Sequence, residues 1–215
     1  MAIIVPTITT DNKAVYDENL AKFSQFSKRI QVDISDGTFA PTATVQLQDV
    51  SFPEGVEIDL HLMSARPSEH LASIIALKPS LCILHAEVDD NLVEVFNQLR
   101  GAGIKVGVAL IKTTFPGKVV DLITAADHVM IFDGELGRQG GTVDMMQIEK
   151  VPLIRNVKAN LEVGWDGGAN LSNVRAIAHA GVDVINVGSA ITQAADPGAM
   201  YQSLVTESDK KGVLI

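Results

Sequence analysis

Acidic and imidazole side chains recur in this sequence where short apolar segments end. The candidates are Asp33, Asp36, His61, His85, Asp133 and Asp166. Side chains alternate along a strand, so Gln31, Asp33 and Ser35 share one face. A buried carboxylate is costly unless it is paired, binds a metal or takes part in catalysis. Alternatively, the strand ends early and Asp33 and Asp36 only cap a turn.

Two glycine-containing junctions could bind a phosphate group. Gly167 and Gly168 follow one predicted strand, and Gly188 and Ser189 follow the next. Backbone N–H groups at helix N-termini bind anions without the help of many lysines, and barrels often hold phosphate after their last two strands. A third glycine-rich stretch, residues 133–141, could fold over a bound ligand or form a plain surface loop.

Eight short apolar segments alternate with helix-like stretches and predict the elements that position these groups. They cover residues 3–5, 30–34, 57–62, 81–84, 105–110, 128–132, 161–164 and 183–187. This alternation is typical of βα units around a parallel sheet. Polar residues recur after nearly every strand, which favours an α/β fold of the (β/α)8 TIM barrel class over a doubly wound open sheet. At 215 residues, the chain is expected to form a single barrel domain spanning residues 1–215.

Several intervals are interpreted without a catalytic role. Asp11 or Asn12 could cap the first helix, and residues 91–100 show helical spacing of apolar side chains. Residues 37–53 hold at most a short helix around residues 45–50 and form a candidate lid. The remaining imidazoles are interpreted as surface or helix residues without function, namely His70, His128 and His179.

Composition narrows the class of protein. The chain is 47% apolar and 20% charged, with a net charge of -9. It lacks the basic patches that nucleic acids or anionic membranes require, so we expect no nucleic-acid and no membrane partner. The apolar surroundings of Cys82 predict a buried thiol. No signal peptide or membrane span is evident, and we expect a cytoplasmic protein.

In order along nearly the whole chain, these segments resemble the ribulose-phosphate 3-epimerase family. Residues 31–41, Gln-Val-Asp-Ile-Ser-Asp-Gly-Thr-Phe-Ala-Pro, resemble the family's His-Val-Asp-Val-Met-Asp-Gly-x-Phe-Val-Pro. Residues 59–63, Asp-Leu-His-Leu-Met, resemble its Asp-Val-His-Leu-Met, and residues 85–87 its His-Ala-Glu. Residues 5–8, 107–110, 166–170, 180–183 and 188–191 complete the similarity.

The resemblance implies an isomerase built on a ribulose-phosphate-binding barrel. In such an enzyme Asp33 and Asp166 would remove a proton at C3 of a ketose phosphate and return one to the opposite face. The residues implied in binding the substrate and its phosphate are Thr7, His61, Met63, Gly140, Gly141, Gly167, Gly168, Gly188 and Ser189. The substrate would be a small phosphorylated sugar, either ribulose 5-phosphate or a hexulose 6-phosphate, and we expect a homo-oligomer.

The resemblance also implies a divalent metal, held in the family by two His and two Asp, for which Zn, Mn and Fe are compatible. Gln31 stands where the first metal His would be, and an amide is a much poorer ligand than an imidazole. A weaker site of Asp33, His61 and Asp166 is possible, with Gln31 contributing its carbonyl oxygen or ordering a water. The alternatives are a metal-independent phosphosugar lyase or isomerase, in which Gln31 and Lys112 would matter, and a catalytically inactive phosphometabolite-binding protein.

Three further departures lie in the same region. Ser35 replaces a family Met, which would make the pocket wider or wetter. In residues 134–141, after the sixth predicted strand, the family's aromatic residue is absent and Arg138 is new. The loop after the fifth strand has also changed. These changes favour a different substrate at least as strongly as they favour ribulose 5-phosphate.

Overall fold

Eight parallel strands close into a barrel in the order β1 to β8, with β1 paired to both β2 and β8. The structure is a computed structural model that describes residues 2–138 and 142–211. The strands are β1 Ile3–Ile8, β2 Arg29–Ser35, β3 Glu57–Met63, β4 Leu81–His85, β5 Lys105–Leu110, β6 His128–Phe132, β7 Glu162–Asp166 and β8 Val184–Val187. All eight predicted strands and the predicted barrel are confirmed.

Helices follow the strands on the outside of the barrel. They are α1 Lys13–Phe23, α2 Leu71–Leu77, α3 Leu92–Gly101, α4 Val120–Ala125, α5 Lys150–Val157, α6 Val174–His179, α7 Ser189–Thr192 and α8 Pro197–Ser208. The Asn12 side chain accepts hydrogen bonds from two backbone N–H groups of α1, and Asn91 does the same for one N–H of α3. Side-chain oxygens before the first turn therefore set where these helices begin.

Apolar side chains fill two regions, one on each side of the strands. The larger region lies between the sheet and the helices and includes Trp165, Tyr16 and Cys82, each fully buried. A smaller cluster of Leu81, Ile83, Ala109, Met130 and Phe132 is separate from it. These residues alternate along β4, β5 and β6 with members of the outer region, which places them inside the barrel.

A charged network closes the amino-terminal end of the barrel. The Arg29 guanidinium donates to Asp59 at 2.7 Å and makes a two-pronged contact with Glu162 at 2.8 and 3.0 Å. The Nδ1 atom of His128 lies 2.8 Å from Glu162. Interpreting His128 as a surface residue is wrong, because it is 1% exposed. As the first residue of β6 it points into the barrel, where Gly164 leaves room for its ring.

Residues 37–53 are only partly the lid that the sequence suggested. Val45, Leu47 and Val50 are buried in the outer core, and Tyr16 donates its hydroxyl proton to the carbonyl of Ser51 at 2.9 Å. The expected short helix is a single 3-10 turn, Leu47–Asp49. Apolar side chains therefore fix the second half of this interval against the barrel.

The described helices are all too short or too polar to cross a membrane.

We predict that Gly164→Ala destabilises the protein. An added Cβ would lie 2.5 Å from Nε2 of the buried His128 ring. Overpacking of this kind lowers the free energy of unfolding by about 1–3 kcal/mol. Gly101→Ala is the matched control, since its Cβ meets nothing within 4 Å. At that helix end the change should stabilise by about 0.4–1 kcal/mol. Equal denaturant midpoints for both variants would contradict the packing argument.

Glu162 should give the fold a dependence on acid. Burial raises its pKa, but hydrogen bonds from His128 and Arg29 outweigh burial and hold the pKa well below its usual range. Stability from this group is therefore present above the unfolded pKa of about 4.3 and is lost as the pH falls below it. Thermal melts between pH 3 and 7 of Glu162→Gln should show a weaker loss in acid than wild type. The exposed Glu54→Gln should behave as wild type.

Candidate functional site

Asp33 and Asp166, from strands three places apart around the barrel, approach each other at its carboxyl-terminal end. Between them lies Gln31, whose Nε2 atom donates to Asp33 Oδ1 at 2.9 Å and to Asp166 Oδ2 at 2.5 Å. Gln31 and Asp33 are buried inside the barrel, on the shared face that alternation along β2 predicted. A single neutral amide thus links the two predicted acid/base residues.

Asp33 is surrounded by hydrogen-bond donors. Besides Gln31, the Thr9 hydroxyl donates to its Oδ2 at 2.6 Å, and Nδ1 of His61 lies 3.0 Å from its Oδ1. Both carboxylate oxygens therefore have short polar contacts. These contacts fix the orientation of the Asp33 carboxylate towards the cavity above it.

A buried line of polar groups continues from His61 towards the surface. Nε2 of His61 lies 2.9 Å from Nε2 of His85, and Nδ1 of His85 lies 3.4 Å from Glu87. Burial lowers the pKa of His85 to about 4. The rings of Phe39 and Phe132 lie 4.8 and 5.3 Å from the His85 ring. His85, which the sequence singled out only as a strand-end imidazole, therefore supports His61.

The two carboxyl groups differ in their electrostatic surroundings. Burial, and then the negative charge of Asp33, raise the pKa of Asp166 above its usual range. Asp166 keeps part of its surface open to the cavity, although the barrel wall withdraws it from bulk water. A carboxyl group whose pKa is raised holds a proton more readily, as a general acid must.

A small cavity, lined by both carboxyl groups, opens above this pair. Among the predicted substrate-binding residues, those that line it are Thr7, Met63, Gly167, Gly168, Gly188 and Ser189. His61 is fully buried and contacts Asp33 instead of lining the cavity. Gly140 and Gly141 lie outside the described residues. The structure therefore brings most of the predicted set to one place.

The predicted phosphate junctions differ from expectation in one respect. Gly188 does precede a helix, the four-residue α7, but Gly167 and Gly168 do not, because a turn at residues 170–173 comes before α6. Both of these glycines have positive φ angles, +124° and +63°. An added Cβ at Gly167 would lie 2.2 Å from the backbone nitrogen of Gly134. Glycine is thus needed here for close packing against the strand-six loop.

The strand-six loop lies over the same cavity. Thr42 donates its hydroxyl proton to the carbonyl of Gly137 at 2.5 Å, which joins this loop to the one after β2. Glu135 and Arg138 line the cavity. Lys112, which would matter in the metal-independent lyase or isomerase alternative, lies 3.2 Å from the buried carboxylate of Asp133 and does not line the cavity. Lys112 and Asp133 instead form an ion pair behind the site.

Two cavity residues were missed from the sequence. Thr9 donates to Asp33, and Asn186 lines the cavity beside Asp166, its partner in the β7–β8 pairing. Asn186 is 2% exposed, and its Oδ1 finds no hydrogen-bond partner among the described residues. The available signal was an amide side chain inside a four-residue apolar strand, which needs a partner or a function.

Asp33, His61 and Asp166 each offer one ligand atom within 4.8 Å of the others, so these three residues could hold a metal ion. The position of Gln31 does not fit such an ion. Its Nε2, which has hydrogens and no free lone pair, takes up one oxygen of each carboxylate. Turning the amide would offer only a weak oxygen ligand in place of an imidazole.

Comparison with known proteins agrees with this architecture. The model of the ribulose-phosphate 3 epimerase family matches residues 3–192. A ribulose-phosphate 3-epimerase of Mycobacterium leprae is 30% identical over 182 residues, which cover 81% of each chain. The cytoplasmic isoform of Oryza sativa is 30% identical over 182 residues, covering 81% of this chain and 80% of its own. The Schizosaccharomyces pombe enzyme is 26% identical over 210 residues, covering 94% and 92%.

Solved structures with low sequence identity share the fold. The 3-hexulose-6-phosphate synthase of Salmonella typhimurium has a TM-score of 0.70 at 18% identity, with 96% of this chain and 98% of that chain covered. A phosphoribosyl anthranilate isomerase of Thermococcus kodakaraensis has a TM-score of 0.68 at 12% identity, with 98% and 100% covered. Together with the matching family model, the conclusion is that this chain belongs to the ribulose-phosphate 3-epimerase family.

Proposed function

We propose that the protein is a sugar-phosphate 3-epimerase that inverts C3 of a ketose phosphate. The observation that carries this proposal is the pairing of Asp33 and Asp166, which come from different strands and meet at the cavity through Gln31. Epimerisation needs one group to remove a proton from one face of a carbon and another to supply a proton to the opposite face. Asp33 and Asp166 line one cavity and come from different strands, so we assign them these two roles.

The proposed reaction moves two protons. One carboxylate takes the proton from C3, the C3–H electron pair forms a C2–C3 double bond, and the carbonyl electrons pass to the C2 oxygen. The enediolate collapses as the protonated partner gives its proton to the other face of C3. The two acids then hold each other's starting protonation states, and exchange with water through the cavity mouth restores them. Asp33 and Asp166 can therefore serve both directions of the reaction.

The phosphate of the substrate is proposed to lie at the other end of the cavity. Gly168, Gly188 and Ser189 line the cavity and are the proposed phosphate contacts. Arg138 also lines the cavity, where it forms an exposed ion pair with Glu135 at 3.9 Å, and its guanidinium is a proposed phosphate contact. Backbone N–H groups and a guanidinium are the usual partners of a phosphate.

The candidate substrates are ribulose 5-phosphate, with xylulose 5-phosphate as its epimer, and hexulose 6-phosphates. The pentulose would place the protein in pentose phosphate and carbohydrate metabolism. Ser35 is fully buried and does not line the cavity, whereas Arg138, which is new in the strand-six loop, does line it and supports testing the longer sugars as well. A homo-oligomeric state and a cytoplasmic location stay predictions, and the weaker Zn, Mn or Fe site of Asp33, His61 and Asp166 is tested below by metal titration.

The experiment that tests this proposal is proton NMR of each sugar phosphate incubated with the protein in D2O. We expect deuterium at C3 together with the C3 epimer. Asp33→Asn and Asp166→Asn should each lower the rate by at least about 10²-fold, which is the low end of the rate loss when a general acid or base is removed. The exposed Asp121→Asn is the matched control and should keep full activity.

Each contrary outcome would indicate a different function for this protein. Ligand binding without exchange at C3 would indicate a catalytically inactive phosphometabolite-binding protein. Cleavage of a carbon–carbon bond without epimer would indicate a lyase, a reading that the pairing of Lys112 with Asp133 makes less favourable. Full activity in Asp33→Asn, with an unchanged melting temperature, would remove Asp33 from the mechanism.

A further inference from the structure

In this site, neutral amide side chains occupy the positions where a cation would be expected to balance the negative charge of the carboxylates. Two close carboxylates inside a barrel repel each other, and the enediolate adds negative charge beside them. A divalent cation relieves both problems in many enzymes. Here the group between Asp33 and Asp166 is the neutral amide of Gln31, at 2.9 and 2.5 Å.

The neighbouring side chains reinforce this arrangement. Asp33 has Thr9 at 2.6 Å on one oxygen, and Gln31 and His61 at 2.9 and 3.0 Å on the other. A carboxylate with this many donors is stabilised without a metal. A metal would have to displace the Gln31 bridge to reach both carboxylates, so binding it would first break two charge-assisted hydrogen bonds.

Asn186 supplies a second amide in the same cavity. It is buried, its Oδ1 has no partner among the described residues, and its Nδ2 contacts only the sulfur of Met130 at 3.6 Å. A thioether is a weak acceptor, so the amide hydrogens remain nearly unused. A buried amide in this condition destabilises the fold unless a ligand completes its hydrogen bonds.

We propose that these two amides take over what a divalent cation would do, and that proton transfer at C3 is independent of metal. Gln31 is a positioning residue that holds Asp33 and Asp166 together. Asn186 is a catalytic residue that donates a hydrogen bond from Nδ2 to the C2 oxygen as it becomes negative. This inference rests on the proposed epimerase function for its chemistry, but its first test does not need a substrate.

The first test measures metal binding. Chelator-treated wild type, Gln31→His and the exposed control Gln98→His are titrated with Zn2+ and Mn2+ by calorimetry, and their metal content is measured by mass spectrometry. We expect Gln31→His to bind one ion at least about tenfold more tightly than wild type. Tenfold is the low end of the change in metal affinity when a residue around a metal is substituted. Gln98→His should match wild type. A wild type that binds as tightly as Gln31→His would overturn the amide bridge.

Adding chelator to the wild type tests whether its C3 exchange needs a metal. This test does not depend on whether the variants fold. Exchange at C3 should be equally fast with chelator and with added Mn2+ or Zn2+. Exchange that stops in chelator and returns with metal would overturn it. A protein that exchanges no ketose phosphate under either condition would overturn the proposed function, while the metal titration would still decide the role of Gln31.

The second test separates the catalytic and structural roles of Asn186. Asn186→Leu should lower kcat by about 10²- to 10³-fold, as the loss of one oxyanion donor does. KM should change little. Its melting temperature should stay or rise, because the variant removes a poorly bonded buried amide. Asn186→Asp keeps the size but replaces the donor and should lose activity too. The exposed Asn97→Leu should leave kcat unchanged.

A structural role for Asn186 makes the opposite prediction. It requires Asn186→Leu to melt at a lower temperature and to lose kcat only through unfolding. Undiminished kcat in this variant, or in Asn186→Asp, would overturn the assignment of Asn186 as the oxyanion donor.

Discussion

The rest of the site depends on holding two carboxyl groups close together inside a barrel. Asp33 and Asp166 would repel each other if both were ionised in so enclosed a place, and this repulsion contributes to raising the pKa of Asp166. The Gln31 amide donates one N–H to each and thereby links the strands that carry them. Each carboxyl group thereby gains a fixed orientation.

The barrel is built to provide this geometry. At its amino-terminal end, Arg29, Glu162 and His128 form a charged plug that joins β2, β6 and β7. At its carboxyl-terminal end, Gly167 allows the strand-seven loop to touch the strand-six loop. Charged side chains stabilise the amino-terminal end of the barrel, and open space at the carboxyl-terminal end admits a ligand. One sheet therefore serves both stability and chemistry. Polar contacts from His61 through His85 to Glu87 then connect β3 to the end of β4 beside the site.

Much of this could be predicted from sequence, because strand alternation and strand-end polarity are local signals. They predicted all eight strands and the shared face of Gln31 and Asp33. Other features depend on three-dimensional proximity. His128 looked like a surface residue because nothing near it in sequence shows that Gly164 makes room for its ring. Asn186 was hidden in an apolar segment, where one amide is easily taken as incidental. The turn before α6 separated Gly168 from a helix start that its sequence had suggested.

The central claim is that two acids act on opposite faces of C3, and the distribution of deuterium in the first turnovers tests it most directly. Substrate is mixed with protein in D2O, the reaction is stopped at a few per cent conversion, and C3 deuterium is measured separately in epimer and recovered substrate. Two opposed acids predict deuterium in the epimer and almost none in the recovered substrate, because the group that takes the original proton does not deliver the new one. Equal labelling of both sugars, or an epimer that retains the original C3 proton, would contradict the account.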